Sequence, residues 1–141
     1  MESNNYTGRK IAIFTDSHSL LEPTVAVLED ARRRGITELY SLGDDVGYGP
    51  NPREVMDTME AYGVVSLAGN AEEYAILGIE PFSDYMRGAR AAEQVWVESK
   101  LTGEHIDRLK LYPRSVDLLV GGKRIALCHF ANDVRWDFRD R

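Results

Sequence analysis

Short apolar runs alternate with amphipathic stretches along the first half of the chain. Three strand-like runs cover residues 10–14, 38–42 and 64–68, and the first has the continuous apolar character of a strand buried on both faces. Two helical patterns separate the runs, and these patterns end at Gly35 and Gly63. The order predicts a βαβαβ unit whose right-handed crossovers align the strands in parallel.

The second half of the chain has a different pattern. Helical spacing covers residues 72–77 and 85–101, and in the longer stretch we expect one buried face that includes a core tryptophan. The face consists of Ala89, Ala92, Val95, Trp96 and Ser99. The predicted fold class is therefore α/β, with further helices after the parallel unit.

A capped helix and a hairpin follow. Thr102 is expected to cap a short helix that carries His105 as an exposed residue. Apolar strands over residues 116–120 and 124–130 flank two consecutive glycines, which is the two-residue connection typical of an antiparallel hairpin. These residues supply a second pair of strands.

Composition narrows the function classes. The chain has 141 residues, 43% hydrophobic and 28% charged, which suits one globular domain over residues 10–141 after a disordered polar tail over residues 1–9. The net charge of −6 argues against general nucleic-acid binding and against an anionic membrane surface. Cys128 is the single cysteine, and no apolar stretch approaches the ~20 residues of a membrane span. We expect a cytoplasmic protein with no membrane partner, and a homo-oligomer remains open.

Polar motifs stand where the three strand-like runs end. Asp16-x-His18 follows the first run, Asp44 the second and Asn70 the third, and the steps from Asp16 to Asp44 to Asn70 are 28 and 26 residues. These steps are close to the length of a βαβ unit. Because parallel strands end at the same sheet edge, we expect the four side chains to converge there.

The four side chains offer a particular set of metal ligands. Carboxylate, imidazole and amide oxygen suit manganese, iron, zinc or magnesium better than thiol-seeking metals. Asp44 follows the middle strand, where one carboxylate can serve two ions that share a bridging hydroxide. Asp16 and His18 would complete one ion and Asn70 would reach the other. Such a site activates water and offsets charge on a phosphoryl group.

These motifs resemble the signature blocks of the calcineurin-like metallophosphoesterases. The matching residues are Asp16-x-His18, Gly43-Asp44-x-Val46 and Gly69-Asn70, in the family's order and spacing. Residues 43–52 are especially similar to the small bacterial and archaeal phosphodiesterases of that family. Each block alone is a weak signal, whereas three in order at strand ends form a specific one.

The resemblance implies a fold, a cofactor and a reaction. The fold would be a four-layer αββα sandwich, and His129 would supplement Asn70 at the second metal. The cofactors would be two divalent ions, with manganese first and iron, zinc, nickel or magnesium as alternatives. The reaction would be hydrolysis of a phosphodiester or a nucleotide by a hydroxide that bridges the two ions, so the expected partner is a small phosphoester or nucleotide.

Three departures from the family pattern limit this interpretation. Many members have a histidine after Gly-Asn that protonates the leaving group, whereas this chain has Ala71 followed by Glu72, which we interpret as a helix-start carboxylate. The family's later Gly-His-x-His block does not occur before Arg141, and the second sheet lacks strands. Asp45 is an additional acid that we expect to be a solvated loop residue.

Several hypotheses therefore stay open. The chain is either a metal-dependent phosphoesterase or a noncatalytic binding scaffold of the same fold, and we suspect a fragment of a longer protein, with completion by a partner chain and a degenerate site as alternatives. A receiver-type signalling module would use Asp44 as phosphoacceptor but leaves His18 and Asn70 unexplained. Arg135, Trp136 and Arg139 alternate with acids and are expected to form a surface segment.

Overall fold

The computed structural model describes residues 8–131. Most of the predicted tail, at residues 1–7, and the predicted surface segment at Arg135, Trp136 and Arg139 lie outside the described residues. The elements in chain order are β1 (Ile11–Phe14), α1 (Leu21–Arg33), β2 (Glu38–Ser41), α2 (Pro52–Ala61), β3 (Val65–Ser66), α3 (Asn70–Leu77), a 3₁₀ turn (Glu80–Phe82), α4 (Ala89–Lys100), α5 (Gly103–Leu109), β4 (Ser115–Val120) and β5 (Lys123–Cys128).

The first three strands form a parallel sheet in the order β1-β2-β3, as the alternation of apolar and helical patterns predicts. β3 is shorter than expected. The Leu67 N–H still donates to Ser41 in the neighbouring strand, at 2.9 Å, but the Ala68 N–H turns away and donates to Pro113 at 2.9 Å. The chain therefore leaves the sheet just before the third motif.

Helices cover one face of the parallel sheet. Leu28 and Ala31 of α1 pack with Leu39 of β2 in one buried cluster, and Tyr62, which follows α2, packs against it. Leu28 is fully buried, and burial of such a side chain stabilises the fold by roughly 1.5–3 kcal/mol. Leu28 and Ala31 are thus the apolar positions by which α1 contacts the sheet.

The hairpin of β4 and β5 covers the opposite face. Leu118 and Leu127 on its inner side pack against Leu67, whereas Leu119 on the outer side is 69% exposed. Gly121 and Gly122 connect the strands with positive φ angles of 58° and 77°, which the tight turn requires. Helices, parallel sheet and antiparallel pair are thus three successive layers of the expected αββα arrangement.

Two expectations for the helices are wrong. The face predicted to be buried on α4 points outward, since Trp96 is 40% exposed with the Lys100 ammonium over its ring, while Gln94 and Val97 are buried where α4 packs against α2 and α3. His105 is buried rather than exposed, because its Nδ1 lies 2.5 Å from Thr102 Oγ1 in the capping arrangement that begins α5. Thr102 caps the helix as predicted.

Within residues 8–131, no helix has both the length and the apolar character needed to cross a bilayer.

Candidate metal centre

Main-chain hydrogen bonds join the loop after β1 to the loop after β2. The N–H groups of Asp16, His18 and Ser19 donate to the carbonyl oxygens of Gly43, Asp44 and Asp45, at 3.0, 3.0 and 2.8 Å. These bonds extend the parallel pairing past the ends of the strands. Their effect is to hold the first two motifs in register, independently of the side chains.

The same loops contain unusual backbone conformations. Asp16, His18 and Asp44 have φ angles of 58°, 43° and 56°, in the left-handed region that residues other than glycine rarely occupy. Such conformations cost free energy and persist where surrounding structure enforces them, as at ligand-binding sites. Here they coincide with three of the predicted metal ligands.

The side chains of these three residues converge. One ligand atom from each of Asp16, His18 and Asp44 lies within 4.8 Å of the others. His18 Nε2 is 3.4 Å from Asp16 Oδ1 and 3.9 Å from Asp44 Oδ2. On the other side, His129 Nε2 lies 3.6 Å from Asp44 Oδ1. Asp44 therefore places one carboxylate oxygen toward each histidine.

Both histidines are oriented by backbone carbonyl groups. His18 Nδ1 lies 3.3 Å from the Val46 oxygen, and His129 Nδ1 lies 3.1 Å from the Leu42 oxygen. Because a carbonyl oxygen can only accept, Nδ1 is the donor in both contacts, and Nε2 of each ring faces Asp44. Metal-binding histidines are commonly oriented in this way.

Asn70 is the first residue of α3 and lies beside this cluster. It lines a small pocket together with Gly47, Tyr48 and Ala71. The helix start is anchored to the cluster, since the Ala71 N–H donates to Asp44 Oδ1 at 2.8 Å. The structure thus brings together the side chains of four residues, with Asn70 beside them: Asp16, His18, Asp44 and His129. That these residues bind metal stays a prediction.

Glu72 organises the loops around Asp44 and was underestimated from the sequence. Its Oε2 accepts the N–H groups of Asp44 and Gly69, both at 2.8 Å, and its Oε1 accepts those of Asp45 and Val46, at 2.8 and 3.3 Å. The side chain is fully buried. Burial raises the pKa of Glu72 in spite of the donors that favour its charged form. The helix-start position and the bond from the Gly69 N–H are local, but the other three donors come from tertiary contacts.

Asp45 is not the solvated loop residue that we expected. Its side chain is fully buried and accepts a short hydrogen bond from the Ser41 hydroxyl. Burial, with a further contribution from the negative charge of Glu72, raises the pKa of Asp45 to about 7. The alternation of buried and exposed residues stops at the end of β2, so the sequence pattern carries no signal for this burial.

Two motif glycines are explained by the close approach of two loops. These are the loop after β2, here the second loop, and the loop between β3 and α3, here the third loop. A Cβ at position 69 would lie 2.3 Å from Asp44 Oδ1 and 3.0 Å from His129 Nδ1. A Cβ at position 43 would lie 2.6 Å from the Gly69 nitrogen. Side chains at either position would therefore separate Asp44 from the third loop.

The donor set fits divalent cations. Asp44, Asp45 and Glu72 are 5%, 0% and 0% exposed and belong to one hydrogen-bond network, so their negative charges repel one another in a poorly hydrated environment. A cation between Asp16, His18 and Asp44 would offset this charge. Carboxylate oxygen with imidazole nitrogen suits manganese, iron or zinc.

Comparisons with known proteins agree with this geometry. No protein-family model matches the chain. An uncharacterised protein of Methanocaldococcus jannaschii is 34% identical over 119 residues, which cover 84% of this chain and 48% of that protein. The crystal structure of a metallophosphoesterase from Sphaerobacter thermophilus matches with a TM-score of 0.59 and 33% identity, over 75% of this chain and 42% of that one. The chain is metallophosphoesterase-like.

A more distant match supports the fold alone. A hypothetical protein from Pyrococcus horikoshii OT3 matches with a TM-score of 0.69 and 19% identity, over 82% of this chain and 52% of that chain. The chain spans about half the length of these relatives.

Proposed function

We propose that the chain is a metal-dependent phosphoesterase that hydrolyses a phosphodiester or a nucleotide. The observation that carries this proposal is the position of Asp44 between two histidines, with one carboxylate oxygen toward each. Asp44 could then be shared by two ions, one held with Asp16 and His18 and the other with Asn70 and His129. Manganese is the first candidate, with iron, zinc, nickel and magnesium as alternatives.

The cations would act as Lewis acids toward phosphoryl oxygens and lower the pKa of a coordinated water. Contacts within the protein orient the side chains that we propose as ligands. The Thr15 hydroxyl donates to Asp16 Oδ2 at 2.7 Å, and backbone carbonyl groups orient both histidine rings. A preorganised site avoids reorganisation during the reaction.

Protonation of the leaving group requires another source. Ala71 follows Asn70 and has no side chain that can donate a proton, and Glu72 is occupied by four backbone N–H groups. We therefore propose that water protonates the leaving group, and that substrates with good leaving groups react fastest. A small phosphoester or nucleotide in the cytoplasm remains the proposed partner.

The test is hydrolysis of bis-(p-nitrophenyl) phosphate by the manganese-saturated chain. We expect turnover well above a metal-free control, and Asp44→Asn should lower it by at least about a hundredfold, because the shared ligand loses charge. Asp117→Asn is the matched control, since Asp117 pairs with Arg124 on the outer side of the hairpin. Equal rates for Asp44→Asn and wild type would contradict the proposal.

A noncatalytic metal-binding scaffold is the second candidate. It is favoured by Ala71, which leaves the pocket beside Asn70 without a donating side chain at that position. Stoichiometric manganese binding without turnover on mono- or diesters would support the scaffold instead of the enzyme.

A further inference from the structure

A pocket adjoins the candidate metal centre on the side of α4. Asn70 and Tyr48 line it from the motif loops, and α3 and α4 supply the opposite wall. Its residues from that wall are Ala71, Tyr74, Arg90, Glu93 and Gln94, with Met86 from the preceding segment. A substituent on a phosphate bound at the metal centre would extend toward this pocket, because Asn70 belongs to both.

Arg90 is the positively charged residue among those that line this pocket. Its guanidinium carbon lies 5.7 Å above the centre of the Tyr85 ring, and within residues 8–131 it has no carboxylate at ion-pair distance. Arg87, one turn earlier, instead donates to the Ser83 carbonyl oxygen at 2.9 Å and does not line the pocket. Arg90 therefore presents unused donors beside the metal centre, where the other charged groups are mainly acidic.

The size of the pocket limits what can enter. Its enclosed volume is about 20 Å³, which is room for one water-sized group. A nucleobase does not fit into that volume, whereas a single phosphate oxygen does. Tyr48 is 53% exposed at the mouth, with its ring edge-on to His18 at 4.7 Å, so a larger group has an aromatic surface at the rim.

We propose that Arg90 forms a subsite for a second phosphate, so that phosphoesters carrying two phosphates bind better than those carrying one. The guanidinium group suits this role because it is a permanently charged donor that can bind the one phosphate oxygen that the pocket admits. Glu93 lines the same pocket and opposes anion binding, which makes Arg90 the group on which recognition depends. The proposal rests on the proposed phosphoesterase function, since the first phosphate is assigned to the metal centre.

The test compares adenosine 5′-monophosphate with adenosine 3′,5′-bisphosphate by equilibrium dialysis in manganese buffer. We expect wild type to bind the bisphosphate roughly tenfold more tightly than the monophosphate, which corresponds to about 1.4 kcal/mol. Arg90→Gln should remove this preference, Arg90→Lys should restore part of it, and the matched control Arg87→Gln should retain it. A role of Arg90 in folding alone would not change the ratio between two ligands.

The outcomes separate this proposal from the phosphoesterase function. Equal affinities in wild type, failure to bind either nucleotide, or an unchanged preference in Arg90→Gln would overturn the subsite. Absence of p-nitrophenol release from bis-(p-nitrophenyl) phosphate by the same wild-type preparation would contradict hydrolysis, while the affinity ratio still reports on Arg90.

Discussion

The first and third loops of the candidate metal centre are attached to the second loop in different ways. Five main-chain hydrogen bonds join the first loop, which carries Asp16 and His18, to the loop of Asp44. The third loop, which begins α3, is attached mainly through the side chain of Glu72 and through the Ala71 N–H on Asp44. We therefore expect the first junction to tolerate side-chain substitutions, whereas the second depends on the carboxylates of Glu72 and Asp44.

Because of this difference, we expect the fold and the complete metal centre to depend on different interactions. Main-chain pairing of the first two loops continues the parallel sheet and forms together with it. The third loop is positioned only when Glu72 is buried with all four of its donors, because a buried carboxylate without donors is strongly unfavourable. The following substitutions test the comparison, beginning with the largest expected effect.

The two histidines lie on opposite sides of Asp44, so each should support one ion. We expect His18→Gln and His129→Gln each to lower the manganese stoichiometry from two to one, measured by metal analysis after dialysis. His105→Gln is the control, because His105 is buried in the cap of α5 and should affect stability without changing metal content. Retention of two ions by His129→Gln would rule out its role at the second position.

Glu72→Gln should loosen the third loop. An amide has one accepting oxygen, so its NH₂ group would face two backbone N–H groups that have lost their acceptor. We expect manganese affinity to fall about 10- to 100-fold and the free energy of unfolding to fall by about 1–3 kcal/mol. Calorimetric titration and urea unfolding measure these two quantities.

Glu73→Gln is the matched control for this substitution, because Glu73 is the adjacent acid and pairs with Arg114 instead of the loops. If both variants bind manganese as wild type does, Glu72 does not position the centre.

Gly69→Ala tests the close approach of the same two loops. The added Cβ would lie 2.3 Å from Asp44 Oδ1, and we expect a loss of about 1–3 kcal/mol in the free energy of unfolding. Gly103→Ala has no heavy atom within 4 Å of its Cβ and should be neutral or stabilising by up to about 1 kcal/mol. Equal thermal midpoints for the two variants would show that the loops can separate without cost.

Trp96→Gln should have the smallest effect. Because Trp96 faces outward on α4, we expect a change within about 0.5 kcal/mol. Val97→Ala, which removes two buried methyl groups from the neighbouring position, should cost about 1–3 kcal/mol. If urea unfolding shows a larger loss of free energy for Trp96→Gln than for Val97→Ala, the helix face predicted from the sequence is the buried one.

Much of the fold was predictable because its signals are local. The strand-length apolar runs and the glycines between them define the parallel sheet, and the steps between Asp16, Asp44 and Asn70 bring their loops to one edge. The side chains of Asp16, His18 and Asp44 therefore converge as the spacing indicates. The buried face of α4 was harder to predict, because its exposed face carries more apolar residues than the face that contacts α2 and α3.

The sequence by itself determined which residue types stand at the strand ends and how far apart they lie. Only the tertiary structure decided that Asp45 and Glu72 are buried beside Asp44, and that His129 reaches Asp44 from the hairpin. The physical reason is that strand periodicity and residue spacing act along the chain. Burial of a carboxylate instead depends on hydrogen-bond donors that distant segments supply after the sheet has formed.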